Sequence, residues 1–355
     1  MIYNPATITI PLASAFNRKI GGMPIELYYL KNKAGMQVVI SNFGAHLIGV
    51  WLPDRRGNLT SVVVGFDNIE SMVKSKSYYG STIGRYANRI AKGKFTLEGK
   101  KYTLPINNGP NSLHGGVNNF SFKMWQATQV EAQKVVLELL SEHMDEGYPG
   151  NLKVKVTYTL TDNNEINIAY EANTDKTTIV NLTNHAYFNL NGEASGDILY
   201  HVVQISADKY TPIDKTMIPT GEIAPVKDTP FDFVNPERIG KRINAANAQL
   251  KIGMGYDHNY VLNRRGVHSP VATVTGDKTG IKLEVFTDQP GMQFYTGNFM
   301  PGTNNMRGNV KDTMRTGFAM ETHHFPDSPN QPHFPSTVLK PGEIYSTQTT
   351  YKFSV

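Results

Sequence analysis

The chain of 355 residues has no cysteine. That removes disulfides, thiolate nucleophiles and cysteine metal ligands, and leaves the redox compartment open. It also lacks any run of about 18 apolar residues, so no membrane-spanning helix is expected. Charge is sparse: 18% of residues are Asp, Glu, Lys or Arg, the net charge is +5 and the sequence pI is about 9.0. The basic residues are scattered, with no cluster of five or more, so a nucleic-acid partner has no footprint. The opening stretch MIYNPATITIPLASAF has no positively charged start followed by an apolar core, which makes cytoplasmic the default location. A processed exported form with its leader removed would read the same way.

Helical periodicity is equally scarce. Pro236–Asn244 is the one stretch expected to form a short helix, with its proline in the first turn. Period-two alternation takes its place. In LKVKVTYTL (152–160), Leu152, Val154, Val156, Tyr158 and Leu160 share one face, while lysines and threonines take the other, as in a half-buried antiparallel strand. The turn-forming run Thr161–Asn164 then leads into EINIAY (165–170), so a hairpin is expected. VVLELL (135–140), HVVQISA (201–207) and IKLEVFT (281–287) read as further strands. With 31 glycines and 20 prolines marking turns and no convincing linker, residues 1–355 are expected to form a single all-β domain. Its architecture is read as a large antiparallel β-sandwich with few short helices and long loops over one face (107–119, 301–313 and 324–336).

The most informative segment is NLTNHAYFNL, 181–190. On an extended backbone Asn181, Thr183, His185, Tyr187 and Asn189 point one way, and Leu182, Asn184, Ala186, Phe188 and Leu190 the other. A row of hydrogen-bonding groups around an imidazole, backed by a mostly apolar side, reads as a pocket wall.

Five other clusters carry chemistry. GSTIGRYANRI (80–90) brings Asn88 and the arginines Arg85 and Arg89, whose guanidinium forks suit oxygen atoms, although one of the two, Arg85 more than Arg89, would instead knit loops to carbonyls. His114 lies among the turn signals of NNGPNSLHGG (107–116). Asp257 and His258 open a strand-like run at 255–262; Asp257 would serve as a ligand or as a strand-entry cap, and the cluster lacks the HxH or HExxH spacing of a metal site. Gln293 and Tyr295 alternate with Met292 and Phe294. Glu321 ends the apolar run Phe318-Ala319-Met320, where lost hydration raises a carboxyl pKa toward that of a base.

Histidines, an arginine, amides, tyrosines and a lone carboxylate suit a neutral polyhydroxylated ligand. A glycoside hydrolase would need two carboxylates flanking a bond, whereas Glu321 has a histidine as its complement, which points to proton shuttling.

These residues fall in an order that resembles the aldose 1-epimerase (galactose mutarotase) family essentially end to end. The matching segments are GR-x-ANRI at 84–90, N-x-LHGG at 111–116 and N-x-TNH-x-YFNL at 181–190. They continue with YDHNYVL at 256–262, QPG-x-Q-x-YTGN at 289–298 and ET-x-HFPDSPN at 321–330. The resemblance implies a supersandwich fold, anomer interconversion of hexopyranoses such as D-galactose and D-glucose, and no metal or organic cofactor. It also implies that Glu321 is the general base, His185 the general acid, and Asn88, Arg89, His114, Tyr187, Asp257 and Gln293 sugar-binding residues. The expected partner is a monosaccharide, with no nucleic acid and no membrane, for a monomer or weak homodimer. Two departures bear on substrate preference: His323 stands where the family often has Gln, and the turn 143–147 lacks part of the usual acidic pattern. Two rivals remain: an epimerase of hexose 6-phosphates, with Arg85 as the spare cation, and a sugar-binding module without turnover.

Overall fold

The computed structural model describes residues 9–263 and 268–355. Residues 1–8 of the opening stretch lie outside the described residues.

A nine-stranded antiparallel sheet forms one layer. Its order is Gln126–Glu131, Lys134–Ser141, Leu152–Leu160, Glu165–Thr174, Tyr345–Ser354, Lys282–Thr287, Ala272–Thr275, Val202–Ile205 and Glu237–Arg238. The expected hairpin supplies its third and fourth strands: Leu160 pairs with Ile166 and Leu152 with Thr174 across the turn at 161–164. Alternation decides which side is buried, as Leu152, Val154, Val156, Tyr158 and Leu160 enter the core with Ile166, Ile168 and Tyr170 opposite.

Two smaller sheets share that core. A four-stranded one runs Leu27–Lys31, Gln37–Ser41, His46–Pro53, Leu59–Ser61, and a five-stranded one runs Ala224–Pro225, Lys209–Tyr210, Asp257–Val261, Gly291–Tyr295, Ala319–His323. Val38, Ile40, Val50 and Leu52 of the first, and Tyr260, Met292, Phe294 and Met320 of the second, join the apolar cluster of the large sheet. Strands with one face in this core must turn the other face elsewhere. In the five-stranded sheet that other face carries Asp257, Asn259, Gln293, Tyr295, Glu321 and His323, with Asn259, Gln293 and Glu321 directly opposite one another in register.

The helix expected at Pro236–Asn244 does not form. Glu237–Arg238 pairs with Val202–Val203 instead, followed by a 3-10 turn at Ile239–Lys241. Gly240 weakens helical continuation, and pairing at the sheet edge satisfies the backbone. The two α-helices among the described residues are Ile69–Ser75 and Ala248–Gly253, each capped by the side chain of a preceding asparagine, Asn68 or Asn247.

Candidate active site

A cavity of about 310 Å³ opens over the polar face of the five-stranded sheet, lined among others by Asn88, Arg89, His114, His185, Tyr187, Asp257 and Glu321. At its floor His185 Nε2 stands 3.4 Å from Glu321 Oε1, and both side chains are almost fully buried. Glu321 reaches this point from the strand Ala319–His323. His185 follows the short strand Thr183–Asn184, and its backbone N–H donates to the Ser81 carbonyl at 2.9 Å.

The neighbours are fixed by local bonds. Gln293 donates through Nε2 to Asp257 Oδ1 at 2.6 Å, holding that carboxylate at the rim of the sheet. Arg89 donates through Nε to Asn108 Oδ1 at 2.9 Å, leaving part of its fork for a ligand. Asn88 and His114 interlock: the His114 N–H donates to the Asn88 carbonyl at 3.0 Å, and the Asn88 N–H donates to His114 Nδ1 at 3.2 Å. Since Nδ1 accepts, the neutral His114 ring carries its proton on Nε2. Asn88 and His114 both hold positive φ, 64° and 53°, a left-handed backbone seldom adopted by histidine. Gly115 follows at φ 90°, where a Cβ would meet the Gly84 carbonyl oxygen at 2.1 Å.

Burial sets the electrostatics. It pushes His185 down to about 3, with His323 adding a smaller push in the same direction. It holds Glu321 well above the usual carboxylate range, reinforced by the Asp257 charge and opposed by Arg89. Asp257 is raised for the same reason, with Arg89 and the Gln293 bond opposing. A carboxylate beside an imidazolium is a proton isomer of the neutral pair that burial favours, so a bound ligand needs little help to redistribute one proton.

Comparison with known proteins decides the family. The aldose 1-epimerase family profile matches residues 26–352. The chain belongs to the aldose 1-epimerase family. It is 44% identical to galactose mutarotase of Rattus norvegicus over 335 residues, covering 94% of this chain and 96% of the relative. It is 40% identical to aldose 1-epimerase of Escherichia coli K12 over the same shares of both chains. The solved structure of an aldose epimerase homologue from C. elegans superposes with TM-score 0.86 at 30% identity, covering 93% of this chain and 99% of that one.

Within this aldose 1-epimerase chain, seven of the eight residues expected at the site line the cavity, and Gln293 stands behind Asp257. The polar row at 181–190 is narrower than expected, because the whole segment is buried and only Thr183–Asn184 pairs as a strand. His185 and Tyr187 reach the cavity, whereas Asn181 donates to the Ala87 and His324 carbonyls and Asn189 to those of Gly196 and Thr316. Arg85 takes its structural alternative, spending its guanidinium on the carbonyls of Ser141, Glu142, Pro149 and Gly150 and on Ser141 Oγ. His258 faces the core, with Nε2 against Gln249 Oε1. His323 shares the strand face of Glu321, two residues on, and is buried with Nδ1 at the His324 carbonyl.

Tyr78, Tyr79, Phe299 and Met300 also line the cavity, and sequence reasoning passed over them. The Tyr78-Tyr79 doublet directly precedes the GSTIGRYANRI cluster, and that adjacency was the available signal.

His114, His185 and Glu321 each place a donor atom within 4.8 Å of the others, a grouping able to hold a metal ion. A ligating histidine offers a bare nitrogen and donates through its second one. His114 is set the other way, because the Asn88 N–H occupies its lone pair and leaves Nε2 protonated. That tautomer suits donation to a ligand oxygen.

Proposed function

We propose that the protein interconverts the α and β anomers of hexopyranoses such as D-galactose, the sugar named for its mammalian relatives, by acid–base ring opening. The His185–Glu321 pair, 3.4 Å apart on the floor of a cavity ringed by amide, guanidinium and hydroxyl groups, carries the reading. Glu321 takes the proton of the C1 hydroxyl while His185 donates to the ring oxygen. The C1–O5 bond breaks, leaving the open-chain aldehyde and a C5 hydroxyl. After rotation about C1–C2, His185 recovers the proton from that hydroxyl as its oxygen attacks the other face of C1, and Glu321 returns its proton to the former carbonyl oxygen. Each positioned proton transfer contributes about 10²–10⁴-fold.

Arg89 and the Nε2–H of His114 supply donors for the ring oxygen and neighbouring hydroxyls. Asp257, oriented by Gln293, accepts from the remaining hydroxyls, and Asn88 and Tyr187 complete the ring of contacts. The chain does this as one unit, a reading supported by a core shared among its three main sheets. Commitment of Arg85 to backbone carbonyls removes the cation on which a hexose 6-phosphate reading leaned. Polarimetry of freshly dissolved α-D-galactose, with α-D-glucose and glucose 6-phosphate beside it, tests the assignment. Acceleration of the neutral sugars is expected; acceleration of the phosphate alone, or of none, overturns it.

A further inference from the structure

Ring opening requires a positive imidazole at His185, yet the site offers that charge little obvious help. Burial opposes it. Besides the stacked Tyr78 and Tyr187, the titratable groups around the ring among the described residues are His114 from the turn after Ser112–Leu113, Tyr295 from its strand, and Glu321 and His323 from theirs. Glu321 is the base, whose charge is consumed in the same step that spends the His185 proton.

The aromatic rings are arranged for this task. Tyr187 stacks on the His185 imidazole with centroids 4.9 Å apart and planes at 14°, and Tyr78 stacks on it at 6.1 Å and 21°. Tyr79 packs against Tyr187 at 4.6 Å, and Tyr295 meets Tyr187 edge-on at 5.9 Å. The face of Tyr187 is therefore engaged by protein rings, which leaves its hydroxyl, and not its face, for a sugar. The stack is also anchored. Tyr79 donates its hydroxyl to buried Asp312 at 2.8 Å, Tyr78 bonds through its hydroxyl to Asn119, and the Gly80 N–H donates to the His185 carbonyl at 2.9 Å. A ring face carries negative quadrupolar charge, and a cation lying over it in a dry site gains about 0.5–2 kcal/mol.

We infer that Tyr187 and Tyr78 form a π-clamp that stabilises the imidazolium of His185 and holds its Nε2 toward the ring oxygen, with Tyr187 as the stronger face. This inference rests on the assignment of His185 as the acid. It gives Tyr187 two separable parts: a hydroxyl that contacts sugar and a ring that positions and supports the acid.

The test replaces position 187 with phenylalanine and then with mono-, di- and trifluorinated phenylalanine, which keep the shape while draining the ring face of negative charge. Phenylalanine is expected to act mainly on KM, and each added fluorine to lower kcat stepwise with KM steady. Tyr187→Leu is expected to lower kcat by about 2–30-fold, the span a lost cation–π contact of that size allows. The NMR titration of His185 in histidine-labelled protein should also move down, by about 0.4 to 1.5 pH units for a contact of that size. A flat kcat across the fluorinated series, or a Leu variant altered only in KM, overturns the clamp. His185→Asn separates the two readings: an inactive His185→Asn with a flat series removes the clamp alone, whereas an active one removes the acid assignment beneath it. Should Tyr187→Leu fail to fold, the isosteric fluorinated series still decides.

Discussion

Gln293 donates to Asp257 at 2.6 Å across adjacent strands, and it stands directly opposite Glu321 in the same sheet. The pairing places the carboxylate assigned to the base and the carboxylate assigned to sugar binding on one rigid surface. Asp257 raises the Glu321 pKa while Arg89 lowers it, so one small group of side chains both holds the ligand and tunes the base. Neither carboxylate has a lysine or arginine partner within salt-bridge distance among the described residues, which keeps both available as acceptors.

Replacement of Glu321 by Gln should abolish mutarotation while leaving sugar affinity largely intact. The amide keeps the shape and one acceptor oxygen but cannot take the C1 proton. The expected loss in kcat is at least about 10²-fold with a modest change in KM. Near wild-type kcat on galactose would remove Glu321 from its role.

His185→Asn and His258→Asn should separate cleanly. The first removes the acid and should lower kcat to a similar degree as loss of the base. The second lies on the core face, bonded to Gln249 and packed on Phe231, so its cost falls on stability. Denaturant midpoints measured beside kcat per folded enzyme give the check, and equal losses of kcat would show that the wrong histidine was assigned.

The pH–rate profile should be a low, broad bell. Burial inverts the usual order of the pair, pushing His185 down to about 3 and holding Glu321 well above an ordinary glutamate, so the ionised base beside the protonated acid is a minor proton isomer of the neutral pair. The acid limb then follows the depressed His185 and the alkaline limb the raised Glu321. A narrow profile with limbs at ordinary glutamate and histidine values would contradict this arrangement.

Acid should destabilise the fold earlier than carboxylate titration alone would. His46, His201 and His323 are depressed to about 4, and His185 and His258 to about 3, all mainly by burial. Each is neutral in the folded chain and takes up a proton on unfolding below about pH 6.5. Their stabilising contribution is full above that value and is lost as pH falls toward the folded values. Urea midpoints should therefore drop steadily from pH 6.5 to 4; midpoints that stay level to pH 5 would refute this.

Exhaustive EDTA treatment should leave mutarotation unchanged. The three-donor cluster of His114, His185 and Glu321 is the place where a metal would act, and a metal-bound imidazole at His185 would have no proton to give. Activity lost on chelation and restored by adding back one metal would replace the acid–base mechanism.

Local pattern was enough for the longest strands and for gathering the candidate site residues into a few segments. Period-two alternation in Leu152–Leu160 and Glu165–Thr174 fixes which side chains are buried, because a one-residue slip would expose them all. Six motifs in order singled out His185, Glu321 and their neighbours. Short-range pattern could not decide partners. Whether Arg85 meets a ligand or the carbonyls of Pro149 and Gly150 depends on a loop distant in sequence. The helix read into Pro236–Asn244 lost to pairing with Val202–Val203, which offered its backbone better bonds than a glycine-interrupted turn. Asn181 and Asn189 looked like His185 in the same row, yet tertiary packing turned their amides to carbonyls, since a buried amide must find partners wherever the fold provides them. The aromatic stack on His185 belongs to the same class: the sequence supplied Tyr78 and Tyr187, and only the folded chain laid them against the imidazole.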